Sequence, residues 1–353
     1  MKKIKFLALS ALLLSTFTFQ SCKDDDDDSK PEEVVKVKHI FILNEGLQSA
    51  NNSTLDCYYP NGENSYQSKV YTTTNGEGLG DTGQDIICYG KRVYVSVWGS
   101  NYIAKLDQYG KVLEKYSFKS DEGKPRYLAA KDGYVYVSTY AGKVAKFDTT
   151  TIAAPIAFAE VGNNPEGIAV AGNYLVVCNS QQNNVADNRL SIVDLSSFSL
   201  KKHIESEEYG NYQNVTVVGN NVYVTYFTPA YATETLSVDI ENGTIKPAVA
   251  ASKIATDGTS LYCINTTSPD WKNYTTSFFK LGSTDSFLDL TSTPELSSAI
   301  VYMFEIDPQN GDFYIGTTDY ATNGNVYRFD KTGKFITKFE TSSISPNHAA
   351  FVY

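Results

Sequence analysis

Seven times along this chain the same short grammar returns: a turn, a strand of alternating β-formers, a loop, and a second strand that most often closes on aspartate. Lys91–Asp107, KRVYVSVWGSNYIAKLD, shows it in full. Val93, Val95 and Val97 alternate along one strand face, Gly99-Ser100-Asn101 reverses the chain, and Ile103 to Leu106 forms the partner. Tyr94 and Trp98 occupy the opposite face, so neither face is wholly polar. The other copies pair His39–Asn44 with Ser53–Tyr58, Tyr134–Tyr140 with Lys143–Asp148, Tyr174–Asn179 with Arg189–Asp194, and Asn221–Tyr226 with Glu234–Asp239. Leu261–Asn265 with Ser277–Leu281 and Asp312–Thr317 with Val326–Asp330 complete the set.

Turns such as Asp132-Gly133, Gly172-Asn173 and Asp257-Gly258 introduce these units, since positive φ is cheap there. Short apolar runs precede most of the turns, at 85–88, 127–130, 167–170, 215–218, 253–256 and 301–306, and each is expected to be an inner strand. Val112–Phe118 and Phe335–Phe339 fit outer strands. Four strands recurring every ~40 to 50 residues is the spacing of a β-propeller blade. Asn347–Tyr353 (NHAAFVY) has no second strand after it, and the first unit has no inner strand before it. The expected fold is therefore all-β, one seven-bladed β-propeller over 38–353, closed by the C-terminal strand completing the first blade.

The segment before it has a different character. Residues 1–21 carry Lys2, Lys3 and Lys5, an apolar run from Phe6 to Leu14, and then Ser21-Cys22, the layout of a secretory signal too short for a membrane span. The sequence around Cys22 resembles a bacterial lipobox, with Phe19 where Leu is usual. Cys22 is then the lipid anchor, 22–37 an Asp-rich tether containing Asp24–Asp28, and the lipid the sole membrane attachment. Removing the three lysines of the leader takes the net charge from −10 to about −13. So acidic a chain with no basic run is a poor partner for nucleic acid. Cys57, Cys88, Cys178 and Cys263 fall in strands of different units without metal-ligand spacing, and are expected to be small buried residues.

Aromatics make up 13% of the chain, with 26 tyrosines, most of which fit packing between blades. Others cluster in the loops between second and third strands, which on a propeller share one rim with the starts of the inner strands. The candidates on that rim are Asn44 and Glu45 in the first unit, Trp98 and Tyr102 in the second, and Tyr140 in the third. Tyr226, Phe227 and Tyr231 follow in the fifth, Trp271 and Tyr274 in the sixth, and Tyr320 in the seventh. Gln84, Arg126 and Gln213 join them from the inner-strand starts and are expected to point toward the axis. Flat rings interleaved with amides suit a large, mostly neutral ligand that itself carries rings and amides.

Three stretches, Phe41–Gly46 with Asn51-Asn52-Ser53, Leu79–Gln84, and Pro125-Arg126-Tyr127, are similar to the YncE-like surface lipoprotein propellers of Bacteroidetes, over essentially the whole mature chain. Cys22 followed by Lys23-Asp24-Asp25 resembles the export signal of that group's surface lipoproteins. The family includes proteins that capture vitamin B12. The resemblance implies a lipoprotein on the outer face of the outer membrane that binds cobalamin or another corrinoid and delivers it to a TonB-dependent transporter. No cofactor and no catalysis are expected. A glycan-binding or scaffold propeller is the alternative. A hydrolase or lyase stands further off, because His39, His203 and His348 occupy unrelated positions and no catalytic spacing accompanies Glu45, Glu166 or Asp319.

Overall fold

The computed structural model describes residues 37–62, 65–230 and 232–353. The leader, Cys22, all but the last residue of the tether, and Tyr231 lie outside the described residues. Seven antiparallel sheets follow one another along the chain, a seven-bladed β-propeller. From the axis outward, the second blade runs Gly83–Tyr89, Arg92–Val97, Tyr102–Leu106 and Val112–Ser117. The third to fifth and the seventh repeat this order, with inner strands Pro125–Lys131, Pro165–Ala171, Tyr212–Val218 and Ile300–Ile306.

Burial on both sheet faces explains the absence of a polar one. Val93, Val95 and Val97 pack toward the first blade against Phe41, Leu43 and Leu55, whereas Tyr94 and Ile103 pack toward the third against Val135 and Phe147. Turn chemistry is as local as the sequence suggests. Gly133 and Gly219 sit at φ 82° and 59° between first and second strands. The aspartates that end third strands cap the next turn: Asp107 Oδ1 accepts from Tyr109 N (2.8 Å) and Lys111 N (2.9 Å), and Asp330 Oδ1 from Thr332 N (2.8 Å).

The ring closes as expected. Pro346–Val352 pairs with His39–Asn44 from His39↔Val352 to Asn44↔Pro346, so the last strand is the innermost strand of the first blade. Across the seam Tyr58 stacks on Phe339 at 4.8 Å, and Arg328 joins Asp312 (2.6 Å) to the Tyr58 hydroxyl (3.3 Å). The four cysteines are free, three of them buried and Cys88 partly so.

Three features depart from the repeat. The sixth blade has three strands, Lys253–Thr256, Leu261–Thr267 and Thr275–Lys280, and its outer side is covered by Phe287, Leu288 and Leu296 around a 3₁₀ turn at Pro294–Ser298. A helix, Val70–Asn75, follows the two-residue fourth strand of the first blade and buries Tyr71. A small hairpin, Gln181–Gln182 with Val185–Ala186, rises from the fourth. Each is too short to impose a period on the sequence.

Candidate functional site

Six of the seven inner strands begin with the same irregularity. The ladder skips a residue after Gly83, Pro125, Pro165, Tyr212, Val301 and Pro346. The extra residues are Gln84, Arg126 with Tyr127, Glu166 with Gly167, Gln213 with Asn214, Tyr302, and Asn347. A bulge re-aims the side chain it inserts. Six blades thereby contribute polar or aromatic groups at one level around the axis.

These groups engage one another. The Arg126 guanidinium donates to Glu166 through Nε (2.8 Å) and Nη2 (2.6 Å) and through Nη1 to Gln84. Tyr140 donates its hydroxyl to the other Glu166 oxygen, and its ring lies 4.8 Å from the guanidinium. Gln213 Nε2 donates to Asn211 Oδ1 (2.8 Å) and Ser180 Oγ (3.2 Å). On the other side Tyr302 donates to Glu45. His348 Nδ1 stands 2.9 Å from Glu305 and 3.8 Å from Asp85. Asp85 also accepts the backbone N–H groups of Leu128 and Ile86, both at 2.7 Å.

Burial dominates the electrostatics. It pushes the carboxyls of Glu45 and Asp85 up and the Lys253 ammonium down. For His348 burial acts to lower the imidazolium, but Asp85 and Glu305 outweigh it and hold the ring above its ordinary value. Burial and the Glu166 charge keep Tyr140 protonated well above the usual phenol range. Among the described residues no metal-ligand cluster occurs. The arrangement is a pre-formed ring of donors and acceptors.

Around it stand the aromatics. Trp98 lies half-buried, 6.3 Å from Tyr140, with the Lys124 ammonium 4.3 Å over its ring and its Nε1 unpartnered. Tyr302 and Tyr320 meet edge to face at 5.9 Å. Trp271 and Tyr320 are 68% and 53% exposed, Phe227 is exposed at the end of its strand, and Tyr274 sits beside the Trp271 carbonyl.

Of the residues expected on the rim, Glu45, Gln84, Arg126, Tyr140 and Gln213 converge on the axis, and Trp98, Phe227, Trp271, Tyr274 and Tyr320 lie outside them. Asn44, Tyr102 and Tyr226 instead belong to the blades and are not available on the rim. Asn44 is fully buried and donates to Thr54 (2.9 Å) and Asp56 (2.6 Å). Tyr102 caps the Leu79 carbonyl, and Tyr226 reaches Glu234 at 3.1 Å from within the core between the fourth and fifth blades. Asp319 closes its own turn through Ala321 N (2.9 Å) and Thr322 N (2.7 Å). Sequence reasoning missed Asp85, Lys253, Tyr302, Glu305 and His348 as axial groups. A signal existed for part of the ring: Pro125, Pro165 and Pro346 all begin inner strands, where a ladder donor is dispensable, and the next residue is the one that is re-aimed.

No family model matches the chain, and no curated protein does. Among solved structures it is similar to the hydrazine synthase of Kuenenia stuttgartiensis, at 16% identity and a TM-score of 0.59, covering 75% of this chain and 88% of that one. It is also similar to a streptogramin B lyase, at 11% identity and a TM-score of 0.56 over 88% and 91% of the two chains. A chain of the mitotic checkpoint complex matches at 11% and 0.53 over 88% and 96%. At such identities the likeness extends to the architecture alone, and that architecture is the β-propeller.

Proposed function

We propose that this propeller is a binding protein of the cell surface, lipid-anchored through Cys22, whose aromatic mouth captures cobalamin or another corrinoid and passes it to a TonB-dependent outer-membrane transporter. The observation that carries the binding role is how two of its aromatics are held. Trp271 and Tyr320, on adjacent blades, both sit at φ 58°. Bulky side chains avoid that region, at a cost of about 1–2 kcal/mol each. Each follows an aspartate that fastens the turn: Asp270 Oδ1 accepts from Lys272 N (3.0 Å) and Asn273 N (2.8 Å), as Asp319 does in its own loop. A large ring held exposed to water on such a backbone is what a pre-formed binding surface requires, and this supports a ligand-binding role. Loops fixed in this way also spare a ligand the cost of ordering them, about 0.5–1.5 kcal/mol per side chain. The ligand's identity rests on the sequence resemblance.

Replacing Trp271 separates the two roles. Trp271→Asn is expected to raise stability by up to about 1 kcal/mol, because asparagine tolerates this backbone, while weakening ligand binding. Thermal melting beside titration checks both, and lower stability with unchanged binding would contradict the reading. For the ligand itself, protein incubated with cobalamin and passed over a sizing column should retain the red absorbance. For the location, protease added to intact cells should remove the domain, and alanines at Asp24–Asp28 should leave it lipidated but protected.

One observation favours an enzyme as the second reading. Burial pushes the Glu45 carboxyl up against the opposing pull of the Tyr302 hydroxyl and of Arg126, Lys253 and His348, and a raised carboxyl at the axis suits a general acid. Chemical change in a captured ligand during the same incubation would decide for it.

A further inference from the structure

Below the mouth the channel holds a cavity of about 600 Å³, within the range of small-molecule pockets. None of Gln84, Arg126, Glu166 or Gln213 lines it, and it runs on to Gly90, Pro308 and Tyr353, where the inner strands end. It shares Tyr127, Tyr302 and Asn347 with the axial ring and extends from there toward the opposite face. Its wall is mixed, with Ile86, Leu128, Ile168 and Phe304 among its apolar residues and Asp85, Lys253, Glu305 and His348 its charged ones.

One charged group in that wall stands apart. Arg126 has Glu166 and His348 has Glu305, but Lys253 has no carboxylate within 4.0 Å and no hydrogen-bond acceptor among the described residues. Its ammonium lies 5.1 Å from the Tyr302 ring centre. The sixth blade places it there because its inner strand is four residues long and begins at Lys253, where the other six have seven residues and a bulge. The acids that face it are committed elsewhere: Glu305 and Asp85 to His348, Asp85 also to two backbone N–H groups, and Glu45 to Tyr302. Lys253 is partly buried, so its unpaired ammonium faces the cavity and can accept an anion supplied from outside.

We propose that the channel binds a small amphipathic monocarboxylate, its carboxylate on Lys253 and its hydrocarbon body against Ile86, Leu128, Ile168 and Phe304. A second negative charge on the ligand is disfavoured by Glu45, Asp85 and Glu305, and a cationic head by Lys253 itself.

Hexanoate, with hexylammonium and hexanol as controls, is the probe for calorimetric titration of the intact domain. Hexanoate is expected to bind saturably at one site and hexylammonium not at all. Lys253→Met should weaken hexanoate at least tenfold, Lys253→Arg should retain it, and Trp98→Ala, on the rim, should leave it unchanged. A measurement on the unaltered protein removes dependence on how the variants fold: saturating hexanoate should slow reductive methylation of Lys253, followed by peptide mass spectrometry, several-fold. Undetectable hexanoate binding, binding that survives Lys253→Met, or an unchanged methylation rate each overturns the proposal. Because the rim and the channel are probed by different molecules, failure here leaves the corrinoid reading standing, and the reverse holds.

Discussion

A chain truncated before Asn347 is expected to lose cooperative folding. The missing segment supplies all but the first residue of the innermost strand of the first blade, and with it Ala349, Ala350, Phe351 and Val352, all buried. Phe351 also packs on Tyr314 of the seventh blade at 5.5 Å, and Asn347 Nδ2 donates to Gln84 O of the second at 2.8 Å, so three blades lose contacts together. Burial of Phe351 and Val352 is worth about 1.5–3 kcal/mol each, before counting the backbone edge left open from His39 to Asn44. The total, on the order of 5 kcal/mol or more, matches the whole stability of many domains. Urea unfolding measures it; a truncated chain with the full-length midpoint would show that the seam carries no weight.

Asp56→Ala is expected to cost about 3–5 kcal/mol. This carboxylate, with 0% exposure, accepts from Asn44 Nδ2 (2.6 Å), Lys69 N (2.7 Å), Tyr66 OH (2.9 Å) and Ser342 N (2.9 Å), and from the Ser342 hydroxyl. Ser342 lies between the outer strand of the seventh blade, Phe335–Glu340, and the closing strand, so one side chain ties the seam from the first-blade side. Alanine leaves several buried donors unpartnered, and each lost charge-assisted bond is worth more than a neutral one. The midpoint of thermal unfolding should fall by about 6 °C or more. A change below about 2 °C would mean that water replaces the carboxylate.

The blades were legible in the sequence because a propeller buries both faces of every strand while each hairpin stays local. His39–Asn44, Lys143–Asp148, Tyr174–Asn179, Arg189–Asp194 and Lys253–Thr256 fall where the sequence pattern puts them, and the other strands shift by one to three residues. The closing strand was legible for the same reason, as a strand without a hairpin partner. The candidate site was legible only in part. Side chains on a regular strand follow parity: Val222, Val224 and Tyr226 share one core face, as do Tyr102, Ala104 and Leu106, so the two tyrosines at strand ends turn inward. Bulges break parity, and no residue type marks them reliably. Glu166 and Tyr302 therefore reach the axis without a period to announce them. Lys253 was hidden for a different cause, because its role follows from the shortness of its strand and from what its neighbours bind instead.

Titration of the mature domain with cyanocobalamin in a calorimeter, repeated for Trp98→Ala and for Tyr109→Ala, tests the central claim most directly. Trp98 flanks the Arg126–Tyr140 group, whereas Tyr109 is a 65% exposed ring in the turn that follows Asp107, on the opposite rim. Saturable one-to-one binding is expected, weakened by roughly 1–4 kcal/mol in Trp98→Ala, the range for a central aromatic anchor, and unchanged in Tyr109→Ala. Equal losses in both variants, or no heat with the unaltered protein, would contradict it.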